Sequence, residues 1–200
     1  MKQNNTAVHV PASAGMFAGV SRLTIFLMIF MAPFYPATAA AQSITNEDIK
    51  TQFIKDWERA KAYTLEYLNT MPADQYSLKP VDSIRSFARQ MLHLATDNVL
   101  LTAKALDQPL LFGKRDLEQS STAQIKDSVM YYVTASYDFV IGGLKKLDAG
   151  KLGEQVSLFN MDISRAGWIA KTFEHQTHHR GQSTIYIRLA GIKPPQEKLF

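Results

Sequence analysis

Trp168, Thr172, His175, His179, Gln182, Tyr186 and Leu189 follow one another at spacings of 4, 3, 4, 3, 4 and 3 residues. That rhythm holds one stripe of a helix in a single direction. It stops at Gly191, with Pro194 and Pro195 beyond, as a helix end does. A stripe this long cannot be buried by its own helix, so the rest of the chain must supply partners of matching period. Its middle is polar, and two imidazoles and an amide in a packing seam cost stability unless something satisfies them. His175 and His179 lie one turn apart and point the same way. Neutral imidazoles so placed can share one divalent ion, and a hydrogen-bonded network is the alternative. His178 falls about 70° to one side of the stripe and is expected to be an outer-shell or surface residue.

Three earlier stretches supply partners. The first opens at Thr45 with Asp48 in capping-box position, continues through Phe53, Trp57, Ala60, Thr64 and Tyr67 or Leu68, and closes at Pro72. The second begins near Ser83 or Ser86 and runs through Phe87, Met91, Leu94, Leu101 and Ala105 towards Pro109. The third, capped by Ser121 or Thr122, carries Ile125, Val129, Tyr132, Ser136, Phe139 and Gly143 as its seam and ends near Gly150. Residues 151–162 alternate weakly and predict a short hairpin or an ordered loop; the last helix starts near Asp162 or Ser164. The expected fold is all-α, an antiparallel four-helix bundle, with loop lengths suggesting up-down-up-down order.

Beside the apolar stripe of the second helix runs a polar lane of Gln90, His93 and Asp97. His93 is the one histidine outside the leader and the terminal cluster, which makes it the candidate third ligand. Asp97, one turn on, is a candidate fourth ligand, outer-shell partner or general base. Gln182 and Arg180 are candidate substrate contacts. Gln176 follows His175 where metalloproteases of the HExxH type carry their glutamate, so that chemistry is excluded. The absence of cysteine excludes disulfides, thiolate metal sites and thiol nucleophiles.

The net charge of +4 falls to +2 once Lys2 and Arg22 are set aside, twenty bases facing eighteen acids. With no basic run after that point, no nucleic-acid partner is expected. Arg22, the apolar run from Leu23 to Ala32, and Ala37-Thr38-Ala39-Ala40-Ala41 have the layout of a signal peptide cleaved after Ala41. The run is too short for a spanning helix, and Met1 and Met16 are alternative starts. The expected organisation is a signal peptide over 1–41 and a bundle domain over 42–200. Export to the periplasm follows, with membrane contact only through the leader.

Ser86-Phe87-Ala88-Arg89-Gln90-Met91-Leu92-His93, His175-Gln176-Thr177-His178-His179-Arg180-Gly181-Gln182 and the tail Tyr186–Pro195 resemble the DinB-like family. The resemblance implies a DinB-like bundle of up-down-down-up order and a three-histidine site of His93, His175 and His179. The implied occupant is a divalent metal ion, nickel or zinc, and a homodimer is a family-level expectation. Some relatives are similar to transferases that use small cytosolic thiols, which an exported chain would not meet. The expected function is therefore a metal-dependent enzyme, hydrolase or transferase, on a small-molecule substrate. The alternatives are a bundle that binds a metal or small ligand without turnover, and a structural bundle whose histidines form a polar network.

Overall fold

A computed structural model describes residues 43–200, so the expected signal peptide lies outside the described residues. Helix α1 spans Asn46–Thr70, capped by Thr45 in a complete capping box with Asp48. Helix α2 spans Phe87–Thr102 and is capped by the Ser86 hydroxyl, which accepts from the Arg89 amide. Helix α3 covers Lys126–Lys146 and α4 covers Arg165–Leu189, the latter capped by Ser164. Between α3 and α4 lies a two-stranded hairpin, β1 (Gln155–Leu158) and β2 (Met161–Ser164), paired antiparallel. Phe159 and Asn160 turn it with φ of 52° and 59°, the left-handed pair that a two-residue hairpin needs.

Hydrogen bonds between elements give the directions. Lys126 at the start of α3 donates to the Asn69 and Met71 carbonyls at the end of α1, while Lys50 near the start of α1 donates to Leu147 past the end of α3. These two helices are therefore antiparallel. Trp57 meets Phe173, Thr64 meets Arg180 and Tyr67 meets Thr184, so α1 and α4 run parallel. Gln90 contacts His179 and Asp97 contacts His175, making α2 antiparallel to α4. The order is up-down-down-up. It corrects the up-down-up-down order and the wholly antiparallel bundle, and agrees with what the family resemblance implied. The physical reason is the connection from 103 to 125: it is long enough to travel back along a sixteen-residue helix and start α3 in the direction of α2.

Two predicted helix limits also change. Helix α2 stops at Thr102 well short of Pro109, and Asp107 follows with a φ of 53°. Neither Ser121 nor Thr122 caps α3, whose first turn follows Ile125 without a side-chain cap. Of the expected α3 seam, Val129, Ser136 and Gly143 are buried, but Ile125 is 59% exposed, and Val133, Tyr137, Val140 and Leu144 join the buried face beside it. Trp57, fully buried, stacks edge-on against Tyr137 at 5.7 Å and Phe173 at 5.5 Å, joining α1, α3 and α4 in one core. Among the described residues no helix is long and apolar enough to cross a membrane.

Candidate metal centre

His93 comes from α2, and His175 and His179 come from successive turns of α4. Because α2 and α4 pack antiparallel, the three rings meet: one nitrogen from each lies within 4.8 Å of the others. The Nε2 atoms of His175 and His179 are 3.1 Å apart. Asp97 Oδ2 stands 3.2 Å from Nε2 of His175 and 3.5 Å from Nε2 of His93. Asp97 is thus on the side where the ring nitrogens converge.

The Nδ1 edges of two rings are held from behind. Glu118 Oε1 lies 2.9 Å from His93 Nδ1, and its other oxygen accepts from Arg85 Nε at 2.7 Å. That carboxylate fixes the His93 tautomer with its proton on Nδ1, leaving Nε2 as the donor towards the centre. Gln90 lies against His179 Nδ1 at 2.7 Å and is hydrogen-bonded in turn to Gln182. As it stands the Gln90 amide nitrogen faces both Nδ1 and the Gln182 oxygen; turning the Gln90 and Gln182 amides over together sets the Gln90 oxygen on Nδ1–H, keeps their mutual hydrogen bond and frees His179 Nε2 as well. Burial first, then the neighbouring His175 and His93, push His179 down to about 3. Burial also lowers His175, with Asp97 working in the opposite direction. Both imidazoles are neutral at pH 7, the form in which they ligate a metal.

Do these residues fit a divalent ion? Two imidazole nitrogens at 3.1 Å need either a proton on one ring or a cation common to both. A third imidazole in the same small volume and a carboxylate beside it favour the cation. Three nitrogen donors and one oxygen are a donor set suited to zinc, nickel or a similar borderline ion.

The chain belongs to the DinB family. Residues 42–199 match it, which is nearly all of the bundle. Metal binding is a general property of the DinB family, and the triad offers donors for it. An uncharacterized protein of Bacillus subtilis (strain 168), YrdA, is 25% identical over 144 residues, 72% of this chain and 84% of that protein. A DinB-like protein from Bacillus cereus ATCC 10987 has a solved structure similar at a TM-score of 0.65 and 17% identity, covering 74% of this chain and 97% of that one. A second DinB-like structure, from Bacillus subtilis, gives a TM-score of 0.58 at 19% identity, covering 74% and 96%. These two likenesses are likenesses of fold.

The remaining candidates are distributed unevenly. Gln182 sits one hydrogen bond behind Gln90 and also donates to His178 Nε2, which is exposed as its angle on the helix implied. Arg180 does not touch the triad. It is buried on the α1 side of α4, donating to Gln176 Oε1 and Thr64 Oγ1. The arginine beside the triad is Arg85, whose Nη2 is 3.4 Å from His93 Nδ1. Helix α4 is covered on two faces, so a residue 100° on from His179 faces a different neighbour.

Sequence reasoning missed Glu118, Arg85 and Arg89. Arg89 stands one helical turn before His93 on α2, a signal that was available, whereas Arg85 precedes the Ser86 cap and lies outside the helix. Glu118 lies in an irregular connection, and no periodicity points to it. Together with Lys79, Gln90 and Gln182 these residues line a cavity of about 560 Å³ beside the centre. The Arg89 Nε is buried there without a hydrogen-bond partner.

Proposed function

We propose that the His93, His175 and His179 triad holds a divalent metal ion and that the protein is a metal-dependent enzyme, hydrolase or transferase, acting on a small molecule. The observation that carries this is the convergence of three imidazole nitrogens within 4.8 Å while Glu118 and Gln90 brace two of the rings from behind. A bound ion would supply Lewis acidity towards a substrate oxygen. The chain's own residues do the rest. Asp97, with Oδ2 against two of the rings, is placed to hold or accept a proton at the reacting centre. On the cavity wall Lys79, Arg85 and Arg89 outnumber Asp82 and Glu118, with Glu118 pairing Arg85 at 2.7 Å and Arg89 more loosely at 4.0 Å, a balance that favours an anionic substrate. Gln90 and Gln182 separate that cavity from His179 and would orient the substrate at the boundary.

Metal content of the purified domain tests the first half. About one equivalent is expected in the wild type and loss in His93→Ala with His175→Ala; equal content in both sinks the triad. Turnover of ester, amide and thiol-transfer substrates, suppressed by a chelator and restored by metal, tests the second half. Metal retention with no turnover across the panel would replace the enzyme with a metal-binding bundle.

A further inference from the structure

On the α1 side of α4, away from the triad, lies a second cleft of about 660 Å³. Its wall includes Tyr63 and Tyr67 of α1, Arg180, Thr184 and Arg188 of α4, and Lys193 of the tail. Arg180 is only 6% exposed, yet it forms no ion pair with a carboxylate among the described residues. Its Nη1 is held by two neutral acceptors, Gln176 Oε1 at 2.9 Å and Thr64 Oγ1 at 3.4 Å, and its guanidinium lies 4.6 Å over the Tyr63 ring. Those acceptors are themselves anchored, because Tyr137 bonds both of them at 2.8 Å. A guanidinium withdrawn from water normally faces a carboxylate. Here neutral groups hold its Nη1 while the residue lines the cleft, so its charge is not cancelled by a paired carboxylate.

The balance of the cleft's other charges is positive, although Glu197 is close enough to Tyr63 to act on it. Arg188 and Lys193 add two cations, and Glu197 is the one carboxylate in the wall. A chain of hydroxyls, Tyr63 to Tyr67 at 3.2 Å and Tyr67 to Thr184 at 3.1 Å, adds rotatable donors. Burial first and the Tyr67 contact second push Tyr63 up to about 12, so its hydroxyl stays a donor at neutral pH. Pro194, Pro195 and Leu199 give one side of the wall an apolar surface. Such a volume, with an apolar flank and a few convergent donors, suits a small organic molecule.

We propose that this cleft is a binding site for a small organic oxyanion, its carboxylate or phosphate on Arg180 with Arg188 and Lys193 and its apolar body on the tail prolines. The site is independent of the metal centre, so it stands or falls apart from the proposed enzyme activity.

Calorimetric titration of the described domain with phenyl phosphate, benzoate and inorganic phosphate tests it, each at fixed ionic strength. Saturable binding of at least one aryl anion, at a Kd of about 1 mM or tighter, is expected. Arg180→Gln should abolish it. Because that variant alters a buried network, the exposed pair Arg188→Gln with Lys193→Gln provides the second test and should weaken binding about tenfold or more. His175→Ala should leave it unchanged. Comparing phenyl phosphate with benzoate decides the head group, and inorganic phosphate measures what the apolar body adds. No saturable binding, binding unaffected by the Arg188/Lys193 substitutions, or binding lost in His175→Ala would overturn the site.

Discussion

Glu118→Ala should weaken metal binding without unfolding the bundle. In the native protein the Glu118 carboxylate makes two close contacts, 2.9 Å to His93 Nδ1 and 2.7 Å to Arg85 Nε, and a looser one, 4.0 Å to Arg89 Nη2. Losing the first releases the His93 ring and lets its proton move to Nε2, the nitrogen required at the centre. Loss of an outer-shell partner of this kind costs about 10- to 100-fold in metal affinity, equivalent to about 1.4–2.8 kcal/mol. Losing the second leaves the Arg85 guanidinium unpaired beside His93, with Nη2 at 3.4 Å, so the effect should fall at the upper end. Glu118→Gln keeps an acceptor for Nδ1–H while removing the charge and should fall between wild type and Ala. Fold stability should change by no more than about 1 kcal/mol, because the Arg85–Glu118 pair is partly exposed. Competition against a chromophoric chelator measures affinity, and urea denaturation of the metal-free protein measures stability. If Glu118→Ala bound metal as tightly as wild type while His93→Ala lost it, the bracing argument would be refuted.

Other expectations are independent of that experiment. His179 titrates near 3 in the folded protein against about 6.5 unfolded, so the unfolded chain binds more protons between those values. Metal-free stability should therefore fall as pH drops through that window, by at most about 1.4 kcal/mol per pH unit from this group; denaturation midpoints that rise on acidification would contradict it. Metal affinity should fall over the same range because protons compete for the imidazoles. Gly143→Ala should destabilise by about 1–3 kcal/mol, since an added Cβ would come within 2.8 Å of Leu106 Cδ1 and would also strike the Gln108 amide; an unchanged urea midpoint would show that the 103–125 connection yields. If the first 41 residues are a signal peptide, intact-mass measurement after bacterial expression of the full 200-residue chain should give a product beginning at Gln42, and a mass retaining the leader would contradict that expectation.

Legibility in the sequence followed locality. His175 and His179 are readable because one turn of helix brings them together, and His93 because no other histidine competes. Glu118 was invisible: it reaches His93 from an irregular loop, where nothing in the sequence spacing measures distance. The helix stripe failed differently on α4. Gln176 is fully buried and Arg180 nearly so, although neither lies on the stripe that carries His175 and His179. They are inside because α4 is flanked by α1 as well as α2, and a single stripe cannot describe a helix with two neighbours. Helix direction was misjudged because loop length reports how far a chain can travel, not which end it returns to. The Thr45 cap was legible since it is a local hydrogen bond, Ser86 and Ser164 were each one of two starts the spacing left open, and the Ser121 or Thr122 cap failed where the turn before α3 intervened.

The up-down-down-up order also bears on the time course of folding. His93 and His175 are separated by all of α3 and the hairpin, and α2 finds its antiparallel partner only in the last helix. Both connections that flank α3 must close before the ligands meet, a non-local step of the kind that slows assembly. A chain still emerging from the ribosome has the isolated His93 but no centre. Metal capture would then report completion of the last helix, and ion-dependent protection from proteolysis should appear only in chains extended past His179.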